Sequence, residues 1–106
     1  MRVIWRKQAQ NDFKEAIAYL KERNLSAALN TSLTIRQKVR QLKDQPSLGR
    51  PGRVADTREL VIRRTPYIVI YTVDLNVSTV IILRVLHGAR LWPEASEDEV
   101  GEDDES

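Results

Sequence analysis

One histidine, one glutamate and several arginines in the second half of the chain are the residues whose types could do chemistry. His87 can take or give a proton near neutral pH, because an unperturbed imidazole has a pKa of about 6.5. Glu59 is a second possible base. The candidate phosphate-binding residues, each with a guanidinium able to make two parallel hydrogen bonds, are Arg63, Arg64, Arg84 and Arg90. Metal-free cleavage of RNA needs a base, an acid and cations around one phosphate.

The same residues also have a structural interpretation. A single histidine at the end of a strand more often makes a hydrogen bond that fixes the following turn, which here contains Gly88. Strict alternation along the last strand places His87 and Arg84 on opposite sides of the sheet, which counts against a shared site. No tyrosine follows Tyr71 to add a further acid or base.

Length and composition indicate one small domain without bound metal or cofactor. The chain has 106 residues, no cysteine and one histidine, so neither a disulfide nor a zinc site is expected. The N-terminal residues MRVIWRKQ lack the apolar core of a signal peptide, and no apolar run is long enough to span a bilayer. We therefore expect a cytoplasmic protein that does not bind membranes.

The charge of the chain is divided between a basic body and an acidic tail. Residues 1–93 contain all 17 lysines and arginines and only seven acids, whereas residues 94–106 contain the other eight acids. Residues 1–93 are therefore predicted to form the domain, and 94–106 a disordered tail with too little apolar surface to fold. The tail either keeps the protein soluble or folds over the basic body and competes with an anionic partner.

The hydrophobic period changes once along the body. Apolar residues recur at helical spacing over 7–23 and again from Ser26, the expected N-cap, to Leu42, so two antiparallel helices are predicted. The stripe of the second helix comprises Ala28, Leu29, Leu33, Ile35, Val39 and Leu42. Short β-branched or alternating runs predict strands at 2–5, 58–64, 67–73 and 79–85, with a loop over 46–57. The predicted fold is α+β, with a helical hairpin on one face of a three- to four-stranded, mainly antiparallel sheet.

Both faces of this sheet are apolar, although one hairpin covers only one face. On the last strand Val80, Ile82, Arg84 and Leu86 are expected on one face, and Ile81, Leu83, Val85 and His87 on the other. An uncovered apolar face indicates a protein partner, unless a C-terminal segment with Leu91 and Trp92 covers it. The predicted partner-binding residues are Arg63, Val80, Ile82, Arg84, Leu86, Arg90 and Trp92.

Several motifs occur in a characteristic order along the chain. They are a short strand with Trp5, a helical hairpin, PSLGRPGRV at 46–54, TREL at 57–60, YIVIYTV at 67–73 and LRVLHGARLWP at 83–93. Together they resemble the RelE/ParE superfamily of bacterial type II toxins, especially its ParE branch. The resemblance covers residues 1–93, so the acidic tail extends beyond it.

The resemblance implies a small toxin of a plasmid-stabilisation system that arrests growth and is neutralised by a cognate, ParD-like antitoxin in a hetero-oligomeric complex. Members of the ParE type are implied to poison DNA gyrase without being enzymes, and members of the RelE type to cut mRNA on the ribosome. We expect gyrase as the target, with no catalytic residue. The alternatives are a metal-independent ribonuclease that uses His87, Arg90, Arg84, Arg63 and Glu59, or a protein-binding module without toxicity.

Overall fold

The computed structural model describes residues 1–88 as two helices and five strands. The elements are β1 (Arg2–Trp5), α1 (Lys7–Arg23), α2 (Leu25–Gln41), β2 (Arg50–Pro51), β3 (Thr57–Val61), β4 (Tyr67–Asp74) and β5 (Thr79–His87). The strands form one sheet in the order β1-β5-β4-β3-β2, in which β1 runs parallel to β5 and the other neighbours are antiparallel. The predicted α+β fold is confirmed. The sheet has one strand more than the four predicted. This strand, β2, lies in the predicted loop and pairs with β3 through only two residues.

The two helices are joined by Asn24 alone. Its side-chain Oδ1 accepts a hydrogen bond from the Ala27 N–H at 3.0 Å, which satisfies one of the unpaired donors at the start of α2. Asn24, and not Ser26, is therefore the N-cap. The start of α1 after Arg6 has no side-chain cap, as the charge pattern predicts.

The core lies between the helical hairpin and one face of the sheet. Its fully buried side chains include Ile35 and Leu42 near or in α2, Ile62 after β3, and Tyr71 in β4. Burying an aliphatic side chain of this size contributes about 1.5–3 kcal/mol. The core therefore holds the hairpin against the centre of the sheet.

A β-bulge in β5 overturns the strict alternation expected from the sequence. Ile70 lies opposite Arg84, but the next residue, Tyr71, lies opposite Ile82, so Leu83 is an extra residue in β5. Side chains before and after Leu83 therefore change sides relative to a simple period of two.

The bulge places Val80 and Ile82 on the same side of the sheet as Val85. Val80 and Ile82 belong to the core and have no exposed surface. The prediction that they lie on the uncovered face with Arg84 and Leu86 is thus wrong. The physical reason is that one extra residue reverses the facing of every position beyond it.

The opposite face of the sheet is less exposed than the sequence suggests. Ile70 and Leu86, at its centre, are 2% and 3% exposed. Ile4 on β1 and Val61 on β3, toward the margins of this face, are 40% and 45% exposed. The centre of the face is therefore buried, and its exposed apolar residues lie apart from each other.

Exposed apolar side chains are found on α2 instead. Leu25, Leu29 and Leu33 are more than half exposed, although Leu29 and Leu33 were expected in the buried stripe. The buried stripe is narrower and comprises Ala28, Ile35 and Val39, continued by Leu42. The three leucines form a row at four-residue spacing on the outer surface of the helix, which we call the leucine row.

Candidate functional site

His87, the proposed acid or base, lies at the exposed end of β5 against an aromatic ring. It is directly opposite Tyr67 on β4, and the two rings make an edge-to-face contact with centroids 5.7 Å apart and planes at 77°. This packing orients the imidazole toward a core tyrosine, which is typical of a structural role.

Arg84, a proposed phosphate ligand, is held by a carboxylate of α1. Its Nε donates to Asp12 Oδ2 at 2.7 Å and its Nη2 donates to Asp12 Oδ1 at 3.1 Å. Both side chains are nearly buried. The same Asp12 oxygen accepts the backbone N–H of Val85 at 3.0 Å. The positive charge of Arg84 is therefore balanced inside the protein, and Asp12 also satisfies an N–H of β5 beyond the end of β1.

Glu59, the second proposed base, is buried and bound to the loop that precedes β3. Its Oε1 accepts hydrogen bonds from Nε and Nη2 of Arg50 at 3.2 and 3.0 Å, and its Oε2 accepts the Arg53 N–H at 3.3 Å. A cavity of about 20 Å³, bordered by Arg53, Glu59 and His87, lies beside it. That volume accommodates about one water molecule.

Arg63 and Arg64 form the tip of the turn between β3 and β4. The turn is closed by the Thr65 N–H, which donates to the Ile62 carbonyl at 3.1 Å. Both arginines are exposed, and Arg64 has a φ of 69°, a backbone conformation that favours glycine or asparagine. Arg63 therefore lies on the surface, while Arg84 lies in an internal ion pair.

Nearly the whole body of the chain matches one protein family. Residues 3–92 match the model described as the ParE toxin of the type II toxin-antitoxin system, parDE. The chain belongs to the ParE toxin family. A curated relative named "Putative toxin Y4kP", from Sinorhizobium fredii, is 36% identical over 93 residues, which is 88% of this chain and 94% of the relative.

Solved structures share the fold of this ParE-family chain. The chromosomal ParDE system from P. aeruginosa is similar with a TM-score of 0.73 and 23% identity over 82% of this chain and 95% of that one. The intact E. coli RelBE toxin-antitoxin complex is similar with a TM-score of 0.59 and 14% identity over 79% and 92% of the two chains. At these identities the likeness establishes the fold.

The GRPGR and TREL motifs of this ParE-family chain form a clasp around Tyr71. The Tyr71 hydroxyl donates to the Pro46 carbonyl at 2.7 Å and accepts the Gly49 N–H at 2.8 Å, and Arg58 Nη1 donates to the Gly49 carbonyl at 2.7 Å. A Cβ on Gly49 would lie 2.8 Å from Tyr71 Cε1 and 2.9 Å from the Glu59 carbonyl. The glycine is therefore required by close packing.

The hydroxyl groups of Tyr71, in this clasp, and of Tyr67, beside His87, have raised pKa values. Burial raises the pKa of Tyr71, although the Gly49 N–H and the charge of Arg58 act in the opposite direction. Burial also raises the pKa of Tyr67, with a smaller contribution from Tyr19. Both hydroxyls therefore stay protonated to higher pH than an exposed tyrosine.

Two of the predicted catalytic residues lie near each other in the structure, because Glu59 and His87 border the same small cavity. Arg84 and Arg63 do not join them, since Arg84 is paired with Asp12 and Arg63 lies on a surface turn. Of the predicted partner-binding residues, Leu86 is nearly buried on the face opposite Val80 and Ile82. The remaining two, Arg90 and Trp92, lie outside the described residues, as does the acidic tail.

Sequence reasoning missed Asp12, Arg50 and Tyr71. Asp12 is the only acid in the first fourteen residues, and its position among apolar residues of α1 is the signal that could have marked it as an internal partner. Residues 1–88 hold no cluster of three or more His, Cys, Asp or Glu side chains able to bind a metal. No helix in this part of the chain is long and apolar enough to cross a membrane.

Proposed function

We propose that this ParE-family toxin arrests growth by acting on DNA gyrase, and that a cognate antitoxin holds it inactive. The observation that carries the choice of target is the Asp12–Arg84 ion pair. It engages Arg84, one of the two candidate arginines three positions from His87, which an RNA-cleaving site would need to face the phosphate. The membership in the ParE family supports the same choice.

The positions of the other candidate catalytic residues, His87 and Glu59, also favour a toxin that binds its target over one that cuts RNA. His87 packs on Tyr67, and Glu59 is bound by Arg50 and the Arg53 N–H. The cavity that Glu59 and His87 border has a volume of only about 20 Å³. A ribonuclease would also need cations that face the same phosphate, and Arg84 is instead paired with Asp12.

An antitoxin partner is supported by the structures that share this fold, since the P. aeruginosa and E. coli proteins were solved as toxin-antitoxin systems or complexes. On this chain the leucine row is the exposed apolar surface best placed for a partner, because its members lie on one side of α2. We propose that apolar residues of the antitoxin cover it. The complex would act in the cytoplasm, in a system that stabilises a plasmid or a chromosomal locus.

Induction of the chain in growing cells tests the proposal. Growth should stop, and co-expression of the small reading frame next to the toxin gene should restore it. Plasmid DNA from the arrested cells should carry gyrase-linked double-strand breaks while ribosome-bound messages remain intact. Cleaved messages with intact plasmid would identify the ribonuclease, and continued growth would identify a binding module without toxicity.

A further inference from the structure

A basic groove runs along the free edge of β1 and a face of α2. This edge groove has a volume of about 550 Å³ and is lined by Arg2, Val3, Trp5, Arg36, Arg40 and Lys43, among others. A second groove of about 570 Å³, the helix groove, lies between α1 and α2 and is lined in part by Phe13, Lys14, Ile17 and Lys21. The two grooves share Trp5 and Arg36 and are therefore adjacent, and together they are called the channel.

The channel is lined by positive charge. Its lining includes six cations, Arg2, Lys14, Lys21, Arg36, Arg40 and Lys43, and no aspartate or glutamate of residues 1–88. None of the six takes part in a salt bridge among the described residues. Charges of one sign along a concave surface raise the local concentration of an oppositely charged ligand.

The backbone along the edge groove is open to an extended segment. The Arg2 N–H donates to the Ser78 carbonyl, just before β5, and the Arg6 N–H donates to the Ile82 carbonyl in β5. The alternate residue Val3 therefore turns its N–H and carbonyl away from the sheet. No other strand lies beyond β1 in the part of the chain that is described. Such an edge accepts peptides by main-chain hydrogen bonding.

The floor of the channel favours a peptide over a nucleic acid. Trp5 and Phe13 pack edge to face with centroids 5.5 Å apart, and the guanidinium of Arg36 lies 4.8 Å above the Phe13 ring. The rings are therefore engaged with each other and with a cation, whereas binding of single-stranded nucleic acid uses ring faces that are open for base stacking. The channel fits an anionic peptide.

We propose that this channel binds residues 94–106 of the same chain. The segment has eight carboxylates, namely Glu94, Glu97, Asp98, Glu99, Glu102, Asp103, Asp104 and Glu105. It lies beyond residue 92, where the match to the ParE family ends, so it is an addition to the family domain. Its charge is opposite to that of the six channel cations, and it has no lysine or arginine that would oppose binding.

The connection is long enough for this contact. Trp5, at the end of the edge groove, pairs with Ile82, and β5 continues five residues further, or about 16 Å, to His87. The six residues from Gly88 to Pro93 can span about 20 Å when extended. The 13 residues that follow can span about 45 Å, more than the length of β1.

Because the tail belongs to the same chain as the channel, it can compete with other anionic ligands for the channel. A segment joined by a short connection has an effective concentration of about 1 mM, so a weak electrostatic contact is populated without high affinity. Any anionic partner that uses the channel, including an acidic antitoxin segment, must then displace the tail. The inference concerns the isolated chain and does not depend on gyrase being the target.

Carbodiimide crosslinking of the full-length chain, made by cell-free synthesis, tests the proposal. The reagent joins a carboxylate to an amine without a spacer, and peptide mass spectrometry of the monomer locates the joined lysine. The chain has five lysines, of which Lys14, Lys21 and Lys43 line the channel and Lys7 and Lys38 do not. Tail carboxylates should join the three channel lysines several-fold more often, and the preference should vanish in about 1 M salt, where the Debye length is about 3 Å.

Two variants with the same loss of charge distinguish binding of the tail in the channel from its general attraction to the basic body. Arg40→Gln with Lys43→Gln should lower crosslinking at Lys14 and Lys21 by about threefold to tenfold, because two exposed ion pairs are lost. The control, Arg63→Gln with Arg64→Gln, removes the same charge from the surface turn and should leave crosslinking at Lys14 and Lys21 unchanged. Equal crosslinking at all five lysines, equal loss in both variants, or crosslinks found only in covalent dimers would overturn the proposal.

Discussion

Arg84 and Asp12, 72 positions apart in the sequence, form a bidentate ion pair that fastens α1 to the sheet. The pair lies where β1 has ended and β5 continues, and Asp12 there also accepts the Val85 N–H. The Asp12 carboxylate thus accepts a backbone N–H that β1 leaves unpaired and also neutralises an internal arginine.

Replacement of Asp12 by alanine should lower the free energy of unfolding by about 3–5 kcal/mol, because the buried guanidinium loses its carboxylate. The double variant Asp12→Leu with Arg84→Met should regain part of this loss, since no internal charge then remains at the pair. Urea unfolding curves of the three proteins measure both effects. A loss below about 1 kcal/mol for Asp12→Ala would mean that the pair behaves like an exposed one.

Replacement of Tyr71 by phenylalanine should destabilise the fold at neutral pH by about 1–3 kcal/mol, because the Pro46 carbonyl and the Gly49 N–H lose their partner. The pH dependence should also change. Burial raises the pKa of Tyr71 in the folded state, so its contribution to stability is full below pH 10, the ordinary value, and falls as the pH rises above it.

The difference in unfolding free energy between wild type and Tyr71→Phe should therefore narrow above about pH 10. Denaturant titrations at a series of alkaline pH values measure it. The remaining tyrosines and the lysines titrate in both proteins and cancel in the comparison. A constant difference across this range would show that Tyr71 does not titrate differently on unfolding.

Replacement of Gly49 by alanine should cost about 1–3 kcal/mol, since the new methyl group would press on the Tyr71 ring and the Glu59 carbonyl. The exposed neighbour Ser47 provides the control, and Ser47→Ala should stay within about 0.5 kcal/mol of wild type. Thermal and urea unfolding measure both variants. Equal stabilities would remove close packing as the reason for this glycine.

Replacement of Leu29 and Leu33 by lysine should weaken antitoxin binding at least tenfold, because a proposed apolar contact becomes charged. Stability should change little, since both side chains are more than half exposed. Leu75→Lys, in the exposed turn between β4 and β5, is the control and should bind normally. Titration calorimetry with the purified antitoxin measures the affinities. An unchanged affinity of the double variant would mean that the antitoxin does not bind the leucine row.

Most of the fold could be predicted from the sequence, because the spacing of apolar residues distinguishes helices from strands. It did not reveal the bulge at Leu83, since the extra residue is as apolar as its neighbours and leaves the run intact. The choice of Asn24 over Ser26 as the cap depends on where the first helix ends. Both differences arise from local geometry.

The candidate site was harder to predict because it depends on pairing between distant residues. Arg84 suggested phosphate binding by its type, but Asp12, from the other half of the chain, satisfies it. Glu59 suggested a base, but it is paired with Arg50 of the neighbouring strand β2. Residue type limits what a side chain can do, and tertiary contacts decide which of those roles remains open.

The most direct measurement of the target compares wild type with His87→Ala in two assays run side by side. One incubates each protein with gyrase and supercoiled plasmid and measures linear DNA after denaturation, and the other measures cutting of ribosome-bound message. If gyrase is the target, both proteins should give equal amounts of linear DNA and no cut message. If the wild type cuts message, His87→Ala does not and the plasmid stays intact, the protein is a ribonuclease and gyrase is not its target.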